Sequence, residues 1–169
     1  MILMKKILLS VLMLLCVSAL FAATPAEDLV QRYKDVKGAR DLVAGKTLLR
    51  LVRPMMDDYQ IAPIAHKVEQ LSVVRLDKTS QEVRNRFVND LKNAFTRYSY
   101  GGQSVTKNGT VDVYVHMKSE NMADELVVYN PEICALYSLT GSFTREELEK
   151  IQKKPEICAV FLSIRCYGN

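Results

Sequence analysis

Three side chains able to bind a partner or move a proton fall at alternating positions of one short stretch: Asp112, Tyr114 and His116 in TVDVYVHMKS. Val111, Val113, Val115 and Met117 lie between them, so the stretch reads as a half-buried antiparallel strand with one polar face. Asp112 and His116 are four residues apart, about 13 Å along a strand, and cannot chelate one ion without ligands from elsewhere. The only other histidine is His66. Neither belongs to a His-Glu-x-x-His or His-x-x-x-His pattern. A solvated histidine is the simpler reading, and Asp112, Tyr114 and His116 become a candidate interaction face rather than a metal or catalytic site.

The cysteines are the second reactive set. Pro-Glu-Ile-Cys-Ala occurs at 131–135 and again at 155–159. A nucleophilic Cys134 would need nearby charge to lower its pKa, and Ile133 and Ala135 supply none, so an inert or oxidised cysteine is favoured. Cys158 and Cys166 would stand about 26 Å apart in one extended strand, far beyond the roughly 7 Å limit for bridged Cα atoms. A disulfide would therefore use Cys134. Its partner is Cys158 if the two repeats are neighbouring strands in matching register, or Cys166 if the tail folds back the other way. Three unpaired buried cysteines is the competing reading. No Gly-x-Ser-x-Gly elbow, phosphate loop or dinucleotide fingerprint is present. Glu120, Asp124 and Glu125 read as solvated carboxylates. No catalytic residue, cofactor site or metal site is assigned.

The elements that must position these residues follow from periodicity. Thr24-Pro25-Ala26-Glu27 is a helix start in which Thr24 caps and Glu27 closes a capping box. Leu29, Val30 and Tyr33 form its apolar stripe, and Gly38 is expected to end it. Residues 39–45 suggest a short strand. KTLLRLVRPMM predicts a helix stopped or kinked at Pro54, with Leu48, Leu49, Val52 and Met56 inward. VEQLSVVRL predicts a strand. Residues 79–98 form the strongest helix, with a box from Thr79 to Glu82 and an apolar face of Val83, Phe87, Leu91, Ala94, Phe95 and Tyr98. Its other face carries Arg84, Arg86, Lys92 and Arg97, which reads as an ordinary solvated face. Asn108-Gly109 signals a hairpin, and 103–139 a four-stranded meander. Thr144 and Glu147 box a last helix, with Phe143 stapled onto Leu148. That helix separates the two repeats, a spacing compatible with a parallel crossover.

The N-terminus carries a different signal. Lys5 and Lys6 precede an apolar run from 7 to 21, and Ala22-Ala23 supply small residues before Thr24-Pro25. This is the order of a secretory signal peptide, with an apolar run short of the roughly 20 residues of a membrane span. Cleavage is expected before Ala23 or Thr24, although Leu20 or Phe21 then occupies the minus-three place. Leu15 before Cys16 disfavours a lipoprotein. Removing 1–23 takes away two lysines and no acid, lowering the formal net charge from +4 to +2. That balance argues against nucleic acid as a partner and against a charge-driven membrane interaction. The remainder suffices for one domain with a real core.

Tyr33, Gly38, Lys46, Leu48, Leu49, Leu51, Pro54, Glu125 to Val128, Gly141, Phe143 and Thr144 carry a resemblance over roughly residues 30–150. On these the chain resembles the exported bacterial family catalogued as domain of unknown function 4252. The resemblance implies export and a shared fold, and it brings no catalytic residue with it.

The expectation is thus a signal peptide at 1–23 and a single α+β domain at 24–169, with the tail 153–169 beyond the usual family pattern. Its architecture is a two-layer sandwich, a mainly antiparallel sheet with helices packed on one face. The chain is expected in the periplasm or secreted from a bacterial cell, without a membrane span after signal cleavage. The function best supported is a non-catalytic protein-interaction module of the cell envelope. It would use the Asp112, Tyr114, His116 face or an exposed sheet edge. A small apolar-ligand binder and an enzyme of unrecognised type are the alternatives.

Overall fold

The computed structural model describes residues 23–56, 62–106 and 110–152. The expected signal segment to 22, the Asn108-Gly109 turn and the tail from 153 lie outside the described residues. With the tail go the second repeat, Cys158 and Cys166.

Chain order is α1 (Pro25–Tyr33), β1 (Arg40–Gly45), α2 (Lys46–Met56), α3 (Ala62–Ala65), β2 (Val68–Arg75), α4 (Gln81–Arg97), β3 (Gly101–Thr106), β4 (Thr110–Ser119), β5 (Met122–Asn130), β6 (Ala135–Thr144) and α5 (Arg145–Gln152). The strands form one sheet in the order β1-β2-β6-β5-β4-β3, every neighbouring pair antiparallel. β3 to β6 are the expected meander. β2 inserts beside β6, which is therefore bonded on both sides, by β2 and β5. The first repeat leads into this fully paired strand, and no edge of β6 is left for a second copy to join.

Side-chain alternation divides the core in two. Val74, Leu76, Val127, Tyr129 and Leu136 meet α1 and α4 through Ala26, Leu29, Val30, Tyr33, Phe87, Leu91 and Phe95. The opposite residues, among them Leu71, Val73, Val113, Leu126, Tyr137 and Leu139, meet Leu49, Ile64 and Leu148. The expected α+β sandwich is the observed architecture. α1 and α4 cover one face together, and shorter helices add apolar cover to the other.

Local chemistry explains the boundaries. Thr24 Oγ1 accepts the Glu27 amide (3.2 Å) and Glu27 Oε2 accepts the Thr24 amide (3.1 Å), the box expected at α1. That helix stops at Tyr33, before Gly38, which instead takes φ +90° in the following loop. A Cβ at Gly38 would collide with the Lys78 carbonyl, so the glycine lets two turns pack together. Ser80, not Thr79, caps α4. Thr79 is already used in the preceding turn, its hydroxyl donating to the Leu76 carbonyl at 2.7 Å. At α5 the Thr144–Glu147 box forms as read, and Lys67 adds an ion pair to Glu147 at 2.8 Å. In α2, Leu49 is buried, Leu48 is exposed rather than inward, and the side chains of Val52 and Met56 lie outside the described residues; Tyr98, expected on the apolar face of α4, instead caps that helix and is exposed.

Candidate functional site

Glu125 is the most unusual side chain of the domain: a carboxylate with no exposed surface, in the middle of β5. Its strand explains the burial. Glu125, Val127 and Tyr129 share the face beneath α1 and α4, so the alternation carries Glu125 inward. Thr24 Oγ1 donates to Oε1 at 2.6 Å, Ser138 Oγ to the same oxygen at 2.5 Å, and the Tyr100 hydroxyl to Oε2. Three hydroxyls thus hold the carboxyl, from the start of α1, from β6 and from the residue before β3. Gln70 of β2 extends the network by donating to Glu27 Oε1 at 2.7 Å and to Ser72 Oγ at 3.1 Å.

Desolvation pushes the Glu125 carboxyl above its usual range, against the downward pull of the Ser138, Thr24 and Tyr100 bonds, while Glu27 repels it further. Burial also raises the Tyr100 phenol, and Glu125 adds to the effect. The cluster is arranged to hold a proton or a charge in place. Its donors are directed at Glu125 itself, leaving no shared position where a substrate atom could sit between them.

The expected polar face lies at the rim of this network. Asp112, Tyr114 and His116 do share one face, and each is half-buried. Tyr114 packs on Phe95 of α4 (ring centroids 4.5 Å), and Phe95 stacks on Tyr100 (4.4 Å). His116 lies 5.1 Å from the Tyr100 ring, and its Nδ1 pairs with Asp124 Oδ1 at 2.6 Å. A register irregularity in β5 around Asp124 sets up that pairing: Ala123 lies opposite Met117, Glu125 opposite His116, and Asp124 is the extra residue between them. Asp124 and Glu125 were read as solvated. They instead turn to a histidine and to the core. The signal for Glu125 was available, because it sits in phase with Val127 and Tyr129 in a strand apolar on both faces.

Cys134 is buried at the β5–β6 turn with φ 47°, and the Tyr129 hydroxyl lies 3.8 Å from its Sγ. Burial raises its thiol pKa, the direction of an inert cysteine. A groove of about 420 Å³ there is lined by Asp77, Arg84, Tyr129, Glu132 and Cys134. A second groove, about 690 Å³, runs between α1 and α4. Arg32 bridges Asp28 (2.6 Å) and Asp90 (3.3 Å) across it, and the Tyr33 hydroxyl donates to Asp90 at 2.8 Å. Burial, with the Asp90 bond, pushes Tyr33 up to about 12.

Of the four large apolar side chains exposed among the described residues, Tyr98 (47%) caps the end of α4, and the other three fall in the stretch from β1 into α2. Val43 on the edge strand β1 is 43% exposed, and Leu48 and Leu51 on the helix that follows it directly are 45% and 73% exposed. Among the described residues β1 pairs on one side only, with β2. α2 carries Lys46 and Arg50 beside these leucines and no acid in its first turn.

No group of histidine, cysteine and carboxylate side chains suited to a metal ion occurs among the described residues, and no helix among them is long and apolar enough to cross a membrane. Comparison with protein-family models, with curated proteins and with solved structures finds no match.

Proposed function

We propose that this chain is an exported cell-envelope protein acting as a non-catalytic interaction module, and that it docks a partner protein at the β1 edge and along α2. The observation that carries this reading is the exposure of Leu48 and Leu51 on α2, which directly follows the edge strand β1; Val43 of that strand is exposed on the opposite face of the sheet. The edge of β1, unpaired among the described residues, offers main-chain groups to an extended segment of the partner, the recognition mode of strand addition. Leu48 and Leu51 call for apolar side chains on that segment and Arg50 for an acidic one, Lys46 lying 3.8 Å from Glu69. Lys5, Lys6, the apolar run and Ala22-Ala23 support export, as does the resemblance to the exported family of domain of unknown function 4252. The Asp112, Tyr114, His116 face is a weaker candidate, since Tyr114 is already engaged by Phe95.

Small-ligand binding is the second reading. The groove between α1 and α4 combines Leu29, Ala94 and Tyr98 with the paired charges of Arg32, Asp28 and Asp90, whereas an apolar ligand favours an apolar concavity. Quantitative recovery of partners from detergent-solubilised envelope extract separates the two. Native protein should retain a defined protein that the Leu48→Lys, Leu51→Lys double variant loses. Equal retention by both would refute the docking surface.

A further inference from the structure

The network around Glu125 begins at a residue with a second significance. Thr24 caps α1, places its hydroxyl on the buried Glu125 and its main-chain nitrogen on Glu27 Oε2 at 3.1 Å. It is also one of the two residues at which signal cleavage is expected to open the mature chain. In the unprocessed chain that nitrogen is a neutral amide. Two carboxylates then converge on Thr24, and the groups that hold Glu125 are hydroxyls rather than a lysine or arginine.

We propose that hydrolysis of the Ala23–Thr24 bond completes this site, the new Thr24 α-ammonium serving as the cation that Glu27 and Glu125 lack. A signal peptidase adds water across the peptide bond. Ala23 leaves as the carboxylate of the released leader, and the Thr24 nitrogen takes up a proton. The existing 3.1 Å hydrogen bond to Glu27 becomes a charge-assisted ion pair without any rearrangement. A positive charge at a helix N-terminus is ordinarily unfavourable. Here Glu27, Asp28 in the same first turn, and the buried Glu125 reverse that sign. Ala23 is exposed and Thr24 half-buried, so the bond between them lies at the edge of the anchored helix start. Processing thereby becomes a folding signal, with the mature chain holding an ion pair where the precursor holds a neutral hydrogen bond. This inference rests on the export reading.

The pH dependence follows from the groups that face Thr24. These are Glu27 of its own helix, Glu125 of β5 and Tyr100 before β3, with Asp124 acting on Tyr100; Gln70, Ser72 and Ser138 are neutral. An α-amine titrates near about 7.7–8.0 when free. Pairing with carboxylates raises that value in the folded state. The stabilisation is therefore full below the free value and is lost as pH rises through the higher, folded one.

The test uses the full-length chain, exported and recovered from the envelope. N-terminal sequencing should read Thr24. A start at Ala23 would overturn the inference and leave export standing, and an intact Met1 would overturn both. Mature protein should then melt about 2–4 °C above the same protein acetylated at its α-amine at pH 6.5, a gap that closes at alkaline pH. Equal melting at pH 6.5 would overturn the proposal. Periodate supplies a readout independent of variants, because it attacks a threonine only where amine and hydroxyl are both free and terminal. Native protein should react at least about tenfold more slowly than urea-unfolded protein, as a docked terminus requires. Equal rates would show that Thr24 does not dock.

Discussion

At the scale of single residues, the fate of Glu125 decides how the core network works. Its carboxyl satisfies three hydroxyl donors in a place without solvent. Glu125→Gln keeps an accepting oxygen and lets a hydroxyl turn to accept from the amide, so chemical melts should place it within about 1 kcal/mol of the native protein. Glu125→Leu leaves Ser138 and Tyr100 without their acceptor and should cost about 2–4 kcal/mol. Similar losses for both would mean that the charge, not the acceptor, matters most. A different carboxylate supplies the acid dependence. Burial opposes ionisation of Asp77, but the guanidiniums of Arg75 (2.8 Å) and Arg40 (2.9 Å) outweigh it and hold the carboxyl below its usual range. A depressed carboxylate stabilises fully above its unfolded value, about 3.9, and loses that contribution as pH falls through the lower folded one. Asp77→Asn should therefore cost about 1–2 kcal/mol at pH 7, a partly exposed pair being screened. The gap to native protein should shrink below pH 4. A gap unchanged at pH 2 would contradict the assignment.

At the scale of elements, α4 shows what patterning can reveal and where it stops. Phe87 has no exposed surface and meets Tyr33 edge-on at 5.0 Å, while Arg86 beside it faces solvent. Phe87→Ala should cost about 3–5 kcal/mol and Arg86→Ala less than about 0.5 kcal/mol, measured by denaturant unfolding. Equal, small losses would mean that the buried face is elsewhere. The helix phases of α1 and of α4 as far as Phe95, the boxes at Thr24 and Thr144, and the β3 to β6 meander are legible, because each is written in local spacing; Tyr98 falls out of the α4 stripe because the helix ends before it. Leu48 was misplaced because α2 carries leucines at 48, 49 and 51, and period alone cannot say which side of such a helix meets the sheet. The α4 cap shifted because Thr79 and Ser80 compete for one role, and the turn to Leu76 claims the first. The Glu125 network escaped the sequence reading for a different reason. Thr24, Tyr100, Glu125 and Ser138 meet only through the pairing of β5 with β6 and the seating of α1, and nothing local records such distances.

For the whole molecule, the proposed docking joins an expected export signal to a sheet covered by helices on both faces and to the exposed leucines of α2 at one edge. β6 and β5 are enclosed by neighbours on both sides, while β1 and β3 each pair with one strand among the described residues, and β1 leads directly into α2. An edge of this kind flanked by exposed leucines invites association and calls for a specific occupant. Site-specific photocrosslinking in intact cells tests this claim most directly. A photoreactive residue at position 51 should yield one discrete adduct with another envelope protein, and the same residue at position 86 on α4 should yield none. Absence of an adduct at 51, or equal adducts at both positions, would contradict the account.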